Sequence, residues 1–311
     1  MESFLKRDKA LLQSPSRVLM VEPRDFRFND QTATSNVFQQ KQDIPVEAKL
    51  EFNGMAELLH KNHIQVQVFK SPEGVDVPDA VFPNNWIATL PGGQVILFPM
   101  MAPNRRDERN GEIITWLEKN FSVSSFINLT HWEGRGEFLE GTGSIVFDHV
   151  RKCAYASISA RTSEKILNEL CRLIGYTPFV FRAYDASNSP VYHTNVVMTI
   201  AGGFSMICAE AVDDLMERSF LIKHLENSGH KIFILSLQQM HEFALNAFEV
   251  INQKKDPCLI ISKRGWNAID GDMRNEIEKF VQPVIVPLKT IENLGGGSAR
   301  CMVAAIHVSP L

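Results

Sequence analysis

An α/β chain of five strand-strand-helix-strand units around a pseudo-fivefold axis, a five-bladed α/β propeller, is the fold class this sequence predicts. Three observations predict it. Short apolar runs occur in pairs joined by tight turns, and a helical pattern and one further strand follow each pair. The order recurs along the chain, and the last hairpin strand finds its mate only at the N-terminus, so the two ends share a fifth unit. The residues that open the units, Asn85, Glu140, His193, Asn246 and Cys301, stand 55, 53, 53 and 55 positions apart, and a fixed period of this size marks a repeat or propeller architecture. Any α/β chain can be cut into pieces of about this length. What raises the period above that is the chemistry it selects: a cysteine, a histidine, a glutamate and two amides. In a closed ring each unit presents its equivalent position to the axis, so these residues would meet.

Taken in order, Arg17 to Glu22 reads as a buried strand ended by Pro23. A polar loop, Arg24 to Asp43, leads to a helical pattern from Glu47 to Asn62 and a strand, Ile64 to Phe69, in which Val66 and Val68 alternate. Pro83-Asn84-Asn85-Trp86 opens a hairpin of Trp86 to Leu90 and Val95 to Pro99 about the turn Pro91-Gly92-Gly93. The loop with Arg105, Arg106, Asp107, Glu108 and Arg109 reads as a solvated charge run, since mixed signs leave no net field. Helix Glu112 to Phe121 and strand Ser122 to Asn128 close that unit. Gly141-Thr142-Gly143 opens Ser144 to Asp148, followed by Cys153 to Ser157, helix Thr162 to Leu173 and strand Pro178 to Phe181. His193-Thr194-Asn195 opens Val196 to Ile200, followed by Phe204 to Ala209, helix Asp213 to Asn227 and strand Lys231 to Leu235. Asn246 opens Phe248 to Asn252, followed by Cys258 to Ser262, helix Asp272 to Phe280 and strand Pro283 to Pro287. Cys301 to Val308 is the final strand.

A chain of 311 residues, 44% apolar and 22% charged, falls in the ordinary globular range and can bury a large core as one domain over 1–311. A net charge of -4 gives no electrostatic footprint for nucleic acid or anionic lipid, which leaves a small molecule as the expected partner. Five cysteines, an odd count at wide spacing, argue against a disulfide framework or structural zinc and for a reducing compartment, the cytoplasm. Met1 to Ser16 lacks the hydrophobic stretch of a secretory leader. Val196 to Val212, the most apolar long run, is too short and too punctuated by Gly202-Gly203 to span a bilayer. Oligomeric state is left open, a dimer being one allowed answer.

The stretch Gly295-Gly296-Gly297-Ser298-Ala299-Arg300-Cys301 carries the sharpest chemistry. Three glycines let backbone N-H groups approach a ligand closely. A thiol flanked by bare N-H groups and an arginine is placed where a thiolate, the nucleophilic form, is stabilised. The plainer reading is a small buried hydrophobe at the start of a strand, as most free cysteines are. A cysteine nucleophile needs a proton partner, and the partner needs a carboxylate to work with. His193 and Glu140 stand in phase for those roles, against the plainer readings of a structural histidine and a loop carboxylate. Gly141 and Gly143 do not make a dinucleotide loop, because a strand rather than a helix follows them. Cys153, Cys171, Cys208 and Cys258 lie in apolar contexts and read as core.

Five motifs in order, Phe82-Pro83-Asn84-Asn85-Trp86, Leu139-Glu140-Gly141-Thr142-Gly143, Ala160-Arg161-Thr162-Ser163, His193-Thr194-Asn195 and Gly296-Gly297-Ser298-Ala299-Arg300-Cys301-Met302, resemble those of the guanidine-modifying hydrolases and amidinotransferases. That superfamily includes arginine deiminase and dimethylarginine dimethylaminohydrolase. The likeness runs from about Val18 to Val308. It implies the pentein fold, an α/β propeller of five ββαβ units, in agreement with the period. Carried across motif by motif, it implies Cys301 as nucleophile, His193 as general acid/base and Glu140 as the carboxylate gripping the substrate's N-H groups. Arg161 and Arg300 match positions that hold the substrate's α-carboxylate in arginine deiminase. No metal or organic cofactor is implied.

The chain departs from arginine deiminase at Asn85 and Asn195, where that enzyme has aspartates that pair with the cationic guanidinium. An unpaired buried charge costs about 3 to 5 kcal/mol, more than two decades of affinity at about 1.4 kcal/mol per tenfold. A ureido group is neutral, and an amide can donate to its C=O and accept from its N-H groups. The site therefore reads as one for citrulline, as in the citrulline hydrolase-like branch with similar FPNNW and HTN motifs. An aspartate elsewhere, such as Asp185, could restore a negative charge. Arginine or methylarginine deiminase and amidinotransferase are the alternatives within enzymes; a non-catalytic propeller binding module is the alternative outside them.

Overall fold

The computed structural model describes residues 9–41 and 45–311. The segment read for a leader and the end of the loop Arg24 to Asp43 fall partly outside the described residues. Fifteen strands among the described residues form five separate three-stranded sheets, and no sheet closes on itself. The first sheet joins the two ends of the chain: β1 (Arg17–Glu22) pairs antiparallel with β15 (Ala304–Ile306) and parallel with β2 (Gln65–Lys70), which helix α1 (Pro45–Lys61) connects to β1. The others repeat the plan within one stretch of chain. They are β3 (Ile87–Thr89), β4 (Gln94–Leu97), α2 (Gly111–Asn120) and β5 (Ser125–Asn128); then β6 (Val146–Asp148), β7 (Cys153–Ser157), α3 (Glu164–Ile174) and β8 (Thr177–Phe181). The last two are β9 (Met198–Ile200), β10 (Phe204–Ile207), α4 (Leu215–Asn227) and β11 (Lys231–Ile234), and β12 (Phe248–Ile251), β13 (Pro257–Ser262), α5 (Gly271–Ile277) and β14 (Gln282–Val286). The mating of the C-terminal strand with the N-terminal one, read from the period, is present as the Val18–Ala305 register.

The reason for each unit is the usual one for a parallel pair, which needs a helical crossover that must itself bury a face. Helix α3 shows how the sequence specifies it. Ile166, Leu167, Leu170, Cys171 and Ile174 form its buried stripe, and Gly175 ends it at φ 71 in the left-handed region. Asn110 and Asp214 cap α2 and α4 by accepting the amide hydrogens of Glu112 and of Met216 and Glu217. Middle strands such as β7, flanked in the sheet by β6 and β8, are buried at every residue. The first strands lie innermost: β3, β9 and β15 are buried at every residue, and residues of all five first strands wall one common cavity.

The first strands start later than their hydrophobic runs suggest. A single tight turn of helix precedes three of them, over Pro83–Asn85, Gly141–Ser144 and Thr194–Val196. Cys301 is likewise in a turn, with its N-H on the Ser298 carbonyl at 2.9 Å, rather than in the strand that begins at Ala304. The five unit-opening residues therefore converge from unequal offsets, on either side of these turns. Among the described residues no helix is long and apolar enough to cross a membrane.

Candidate active site

The glycine run follows the short helix Lys289–Gly295, which Gly296 ends at φ 60. A Cβ on Gly295 or Gly297 would stand 2.6 or 3.0 Å from the ring of Phe82, so the glycines let that ring pack flat against the loop that carries the thiol. Cys301 is buried. The side-chain amides of Asn246 and Asn195 donate to its sulfur at 3.3 and 3.5 Å. Asn246 Oδ1 also accepts the Arg300 N-H at 3.1 Å, which fixes the turn on which Cys301 sits.

His193 lines the same cleft as Cys301. Its Nε2-H donates to Glu140 Oε2 at 2.9 Å. That bond leaves Nδ1 as the free nitrogen, passing where Gly143 has no side chain; a Cβ there would sit 2.7 Å from it. Burial lowers the His193 pKa to about 4, the Glu140 charge opposing, so the imidazole is neutral at pH 7. Glu140 itself is fully buried, which alone would raise its pKa; Arg161, His193 and Arg105 overcome that and hold it ionised, well below the carboxylate range. Its Oε1 accepts the Met101 N-H at 3.0 Å. Both its oxygens are thus occupied, and it does not line the cleft: it stands behind His193, where direct contact with the substrate had been expected.

The charge run Arg105 to Arg109 is the clearest correction. Arg105 and Glu108 are each 2% exposed. Arg105 Nε and Nη2 donate to the two Glu108 oxygens at 2.8 and 3.0 Å, and Nη1 donates to Asn85 Oδ1 at 2.8 Å. A bidentate fork of this kind survives burial because each charge neutralises the other and its hydrogen bonds are met. Arg105, with Asp79 and Tyr192, is a lining residue that the sequence reading missed. The short spacing of Arg105 and Glu108 at i and i+3 on one helical turn was the available signal.

Asp79 is 2% exposed, and its Oδ2 accepts from Asn29 and Thr32 at 2.8 and 3.2 Å. Its Oδ1 has no partner. Asp185, by contrast, turns back on its own loop to accept the Ser187 and Ser189 amides at 2.8 and 2.9 Å and does not line the cleft. Arg161 lines it, stacks on Tyr192 at 5.1 Å, and lies 3.5 Å from Glu140. Its remaining donors bind Thr32 O at 2.8 Å and Ser35 Oγ at 2.7 Å. Arg300 does not line the cleft. Its side chain turns away from Cys301, donates to Val303 O at 2.9 Å and covers the Phe248 ring at 4.1 Å, as neighbours on a tight turn point to different sides. Asn36 reaches across the mouth to donate to Gly295 O and Gly296 O, both at 3.3 Å. Tyr192 O-H donates to the same Gly296 oxygen. The cleft beneath them closes to about 10 Å³, room for about one water.

A buried thiol facing amide donors, with a neutral imidazole held by a carboxylate, can attack an electron-poor carbon and shuttle a proton. No cluster of three His, Cys, Asp or Glu side chains able to hold a metal occurs among the described residues. The other four cysteines are buried and unpaired. Burial pushes the thiols of Cys153, Cys208 and Cys258 up to about 11 and that of Cys171 to about 12.

The five repeated small sheets, with Cys301 and His193 on one cleft, are similar to the pentein fold of the guanidino-modifying superfamily, to which the chain's family match assigns it. Within that class it belongs to the family described as N,N dimethylarginine dimethylhydrolase, eukaryotic, whose model matches residues 22–308. Apo ArgZ, an arginine dihydrolase from the ornithine-ammonia cycle in Cyanobacteria, has a similar structure, with a TM-score of 0.73 and 19% identity over 93% of this chain. The match spans 40% of that longer chain. The N-terminal domain of ArgZ covalently bound to a reaction intermediate gives 0.73 and 18% over 93% of this chain and 96% of its own. A dimethylarginine dimethylaminohydrolase adduct with S-methyl-L-thiocitrulline gives 0.67 and 13% over 94% and 100%. At such identities the likeness speaks to the fold. No curated protein matches the chain by sequence.

Proposed function

We propose that the chain is a single-domain, five-bladed propeller enzyme, a cysteine-dependent hydrolase of a C-N bond in a ureido amino acid, converting citrulline to ornithine, ammonia and carbon dioxide. Cys301 adds to the ureido carbon after passing its proton to His193. The side-chain amides of Asn195 and Asn246, which donate to the sulfur, hold the oxyanion that develops beside it. His193 returns the proton to the departing ornithine nitrogen, then takes one from a water that hydrolyses the S-carbamoyl enzyme. The carbamate released loses carbon dioxide. Glu140 positions and polarises His193.

One observation carries the choice of substrate: the side chains that touch the thiol are amides, and the amide Asn85 is already engaged by the cation Arg105. Glu140 is matched by Arg161, His193 and Arg105. A guanidinium beside Cys301 would thus meet no anion among the side chains that touch the thiol, whereas a neutral ureido group meets donors and acceptors. Asp79, with one oxygen unpartnered, suits the substrate's α-ammonium, and Arg161 suits its α-carboxylate. Arg300, on the far side of the turn, is not given that task. The lid is the segment bearing Thr32, Ser35 and Asn36, which must lift for substrate to enter.

The free oxygen of Asp79 also favours a second reading, a cationic substrate such as arginine or a methylarginine, cleaved as by the arginine dihydrolase ArgZ. Steady-state kcat/KM on citrulline, arginine and dimethylarginine separates the two. Turnover of arginine at least as fast as that of citrulline would overturn the first.

A further inference from the structure

Behind Cys301 lies a second cavity that shares no lining residue with the cleft. Its walls include Thr89 of β3, Phe147 of β6, Met198 of β9, Phe248 of β12 and Ala305 of β15, so it occupies the space where the five sheets meet. Its volume is about 40 Å³, room for about three waters. Three basic side chains face it, Arg300, His149 and His307, and no carboxylate does.

Arg300 is 8% exposed and forms no ion pair among the described residues. Of its five N-H donors one is used, on Val303 O; the face of Phe248 covers the guanidinium without accepting the rest. Burial lowers its pKa to about 10. The imidazoles of His149 and His307 stand 4.4 Å apart, and burial with the Arg300 charge keeps both neutral, His149 down to about 3. His149 Nδ1 is held by the Tyr176 hydroxyl at 2.9 Å. Glu249, which bonds the lining residue Ser14, accepts its Oγ-H at 2.6 Å and the Gly202 N-H at 2.9 Å. One buried guanidinium with no counter-charge, two neutral imidazoles beside it and open space before them are the makings of an anion site.

We propose that this axial cavity binds a small planar oxyanion of the carbonate class, held by the free guanidinium donors of Arg300 and by N-H groups of His149 and His307. The anion is coupled to the nucleophile. Arg300 adjoins Cys301 in the chain, and Asn195, which also lines this cavity, donates to the Cys301 sulfur. An anion on Arg300 cancels the positive field that the sulfur otherwise feels, so filling the site slows alkylation of Cys301.

Nitrate, planar and inert between pH 5 and 9, is the probe. At constant ionic strength, nitrate is expected to raise the Tm of the wild-type protein saturably and to slow iodoacetamide labelling of Cys301 at least threefold, with chloride and the bulkier sulfate much weaker. Bicarbonate should behave as nitrate does. Both effects should vanish in Arg300→Gln and persist, at weaker affinity, in Arg300→Lys; His307→Gln should weaken binding several-fold. A nitrate response equal to that of chloride, or one unchanged in Arg300→Gln and His307→Gln, overturns the proposal. Neither readout requires turnover, so it stands or falls apart from the substrate assignment.

Discussion

Asn195 donates its side-chain N-H to the sulfur of Cys301 from 3.5 Å, across a separation of 106 residues in the chain. An amide in that place stabilises a thiolate without adding a charge. An aspartate would repel it and attract a cation instead.

That contrast makes the substrate preference engineerable. In the double variant Asn85→Asp, Asn195→Asp, the ratio of kcat/KM for arginine over citrulline should rise about 100-fold or more, since an unmatched buried charge is worth about 3 to 5 kcal/mol. The carboxylate introduced in place of Asn85 would sit against Arg105 and be tolerated. A ratio unchanged within threefold would remove the argument from amides.

Alkylation separates Cys301 from the other thiols. Burial, helped by neighbouring acidic groups and thiols, raises the pKa of Cys153, Cys171, Cys208 and Cys258 to about 11 or 12, and thiols so placed are inert. Mass spectrometry after brief iodoacetamide treatment should find one adduct, on Cys301, with citrulline protecting it. Cys301→Ser should lose at least about 10³-fold in kcat while melting within a few degrees of the wild type.

The acid limb of kcat/KM should be displaced downward. His193 must be neutral to accept the thiol proton, and its pKa is lowered to about 4. The rate is therefore retained as pH falls through 6.5, the ordinary imidazole value, and is lost near pH 4. Since the Glu140 charge is what raises His193 against burial, Glu140→Gln should move that limb lower still and reduce kcat about 100-fold. Folding stability has the complementary sign: Glu140 is held below its ordinary range, so its contribution is full above about pH 4.3 and is lost as pH falls below it.

The Arg105–Glu108 pair is structural support for the cleft. Burial raises Glu108 to about 7 against the pull of Arg105. Glu108→Gln leaves a buried guanidinium with Asp79 at 3.8 Å as its next acidic neighbour, and should cost about 3 to 5 kcal/mol, read as a lowered denaturant midpoint with an unchanged slope. A shift below about 1 kcal/mol would place the pair in solvent after all.

Gly143→Ala tests the packing of the imidazole. Its Cβ would collide with Asn85 Nδ2 and stand 2.7 Å from His193 Nδ1, so one of them must move. We expect kcat to fall at least tenfold with KM little changed, because a displaced base affects proton transfer more than binding.

Much of this was legible in the residues. Arg17 to Glu22 and Cys153 to Ser157 are strands with the bounds that their apolar runs gave, and the pairing of the chain's ends followed from one strand lacking a mate. The fate of Arg105 was not legible. Alternating charges between two elements describe a solvated loop and a buried ion pair equally well, and only the packing of Asp79, Asn85 and Glu108 around the guanidinium distinguishes them. The same holds for Arg300, which adjoins the nucleophile in sequence yet faces the opposite cavity.

The sequence by itself determined the five-unit plan and the residues that open each unit, because hydrophobic period and turn chemistry act over a few neighbouring residues. The tertiary structure alone decided which way those side chains face: Glu140 behind His193, Asn85 on Arg105, Asn195 and Asn246 on the sulfur. Orientation of that kind depends on contacts between residues far apart in the chain, where burial and electrostatic pairing, rather than local propensity, set the energy.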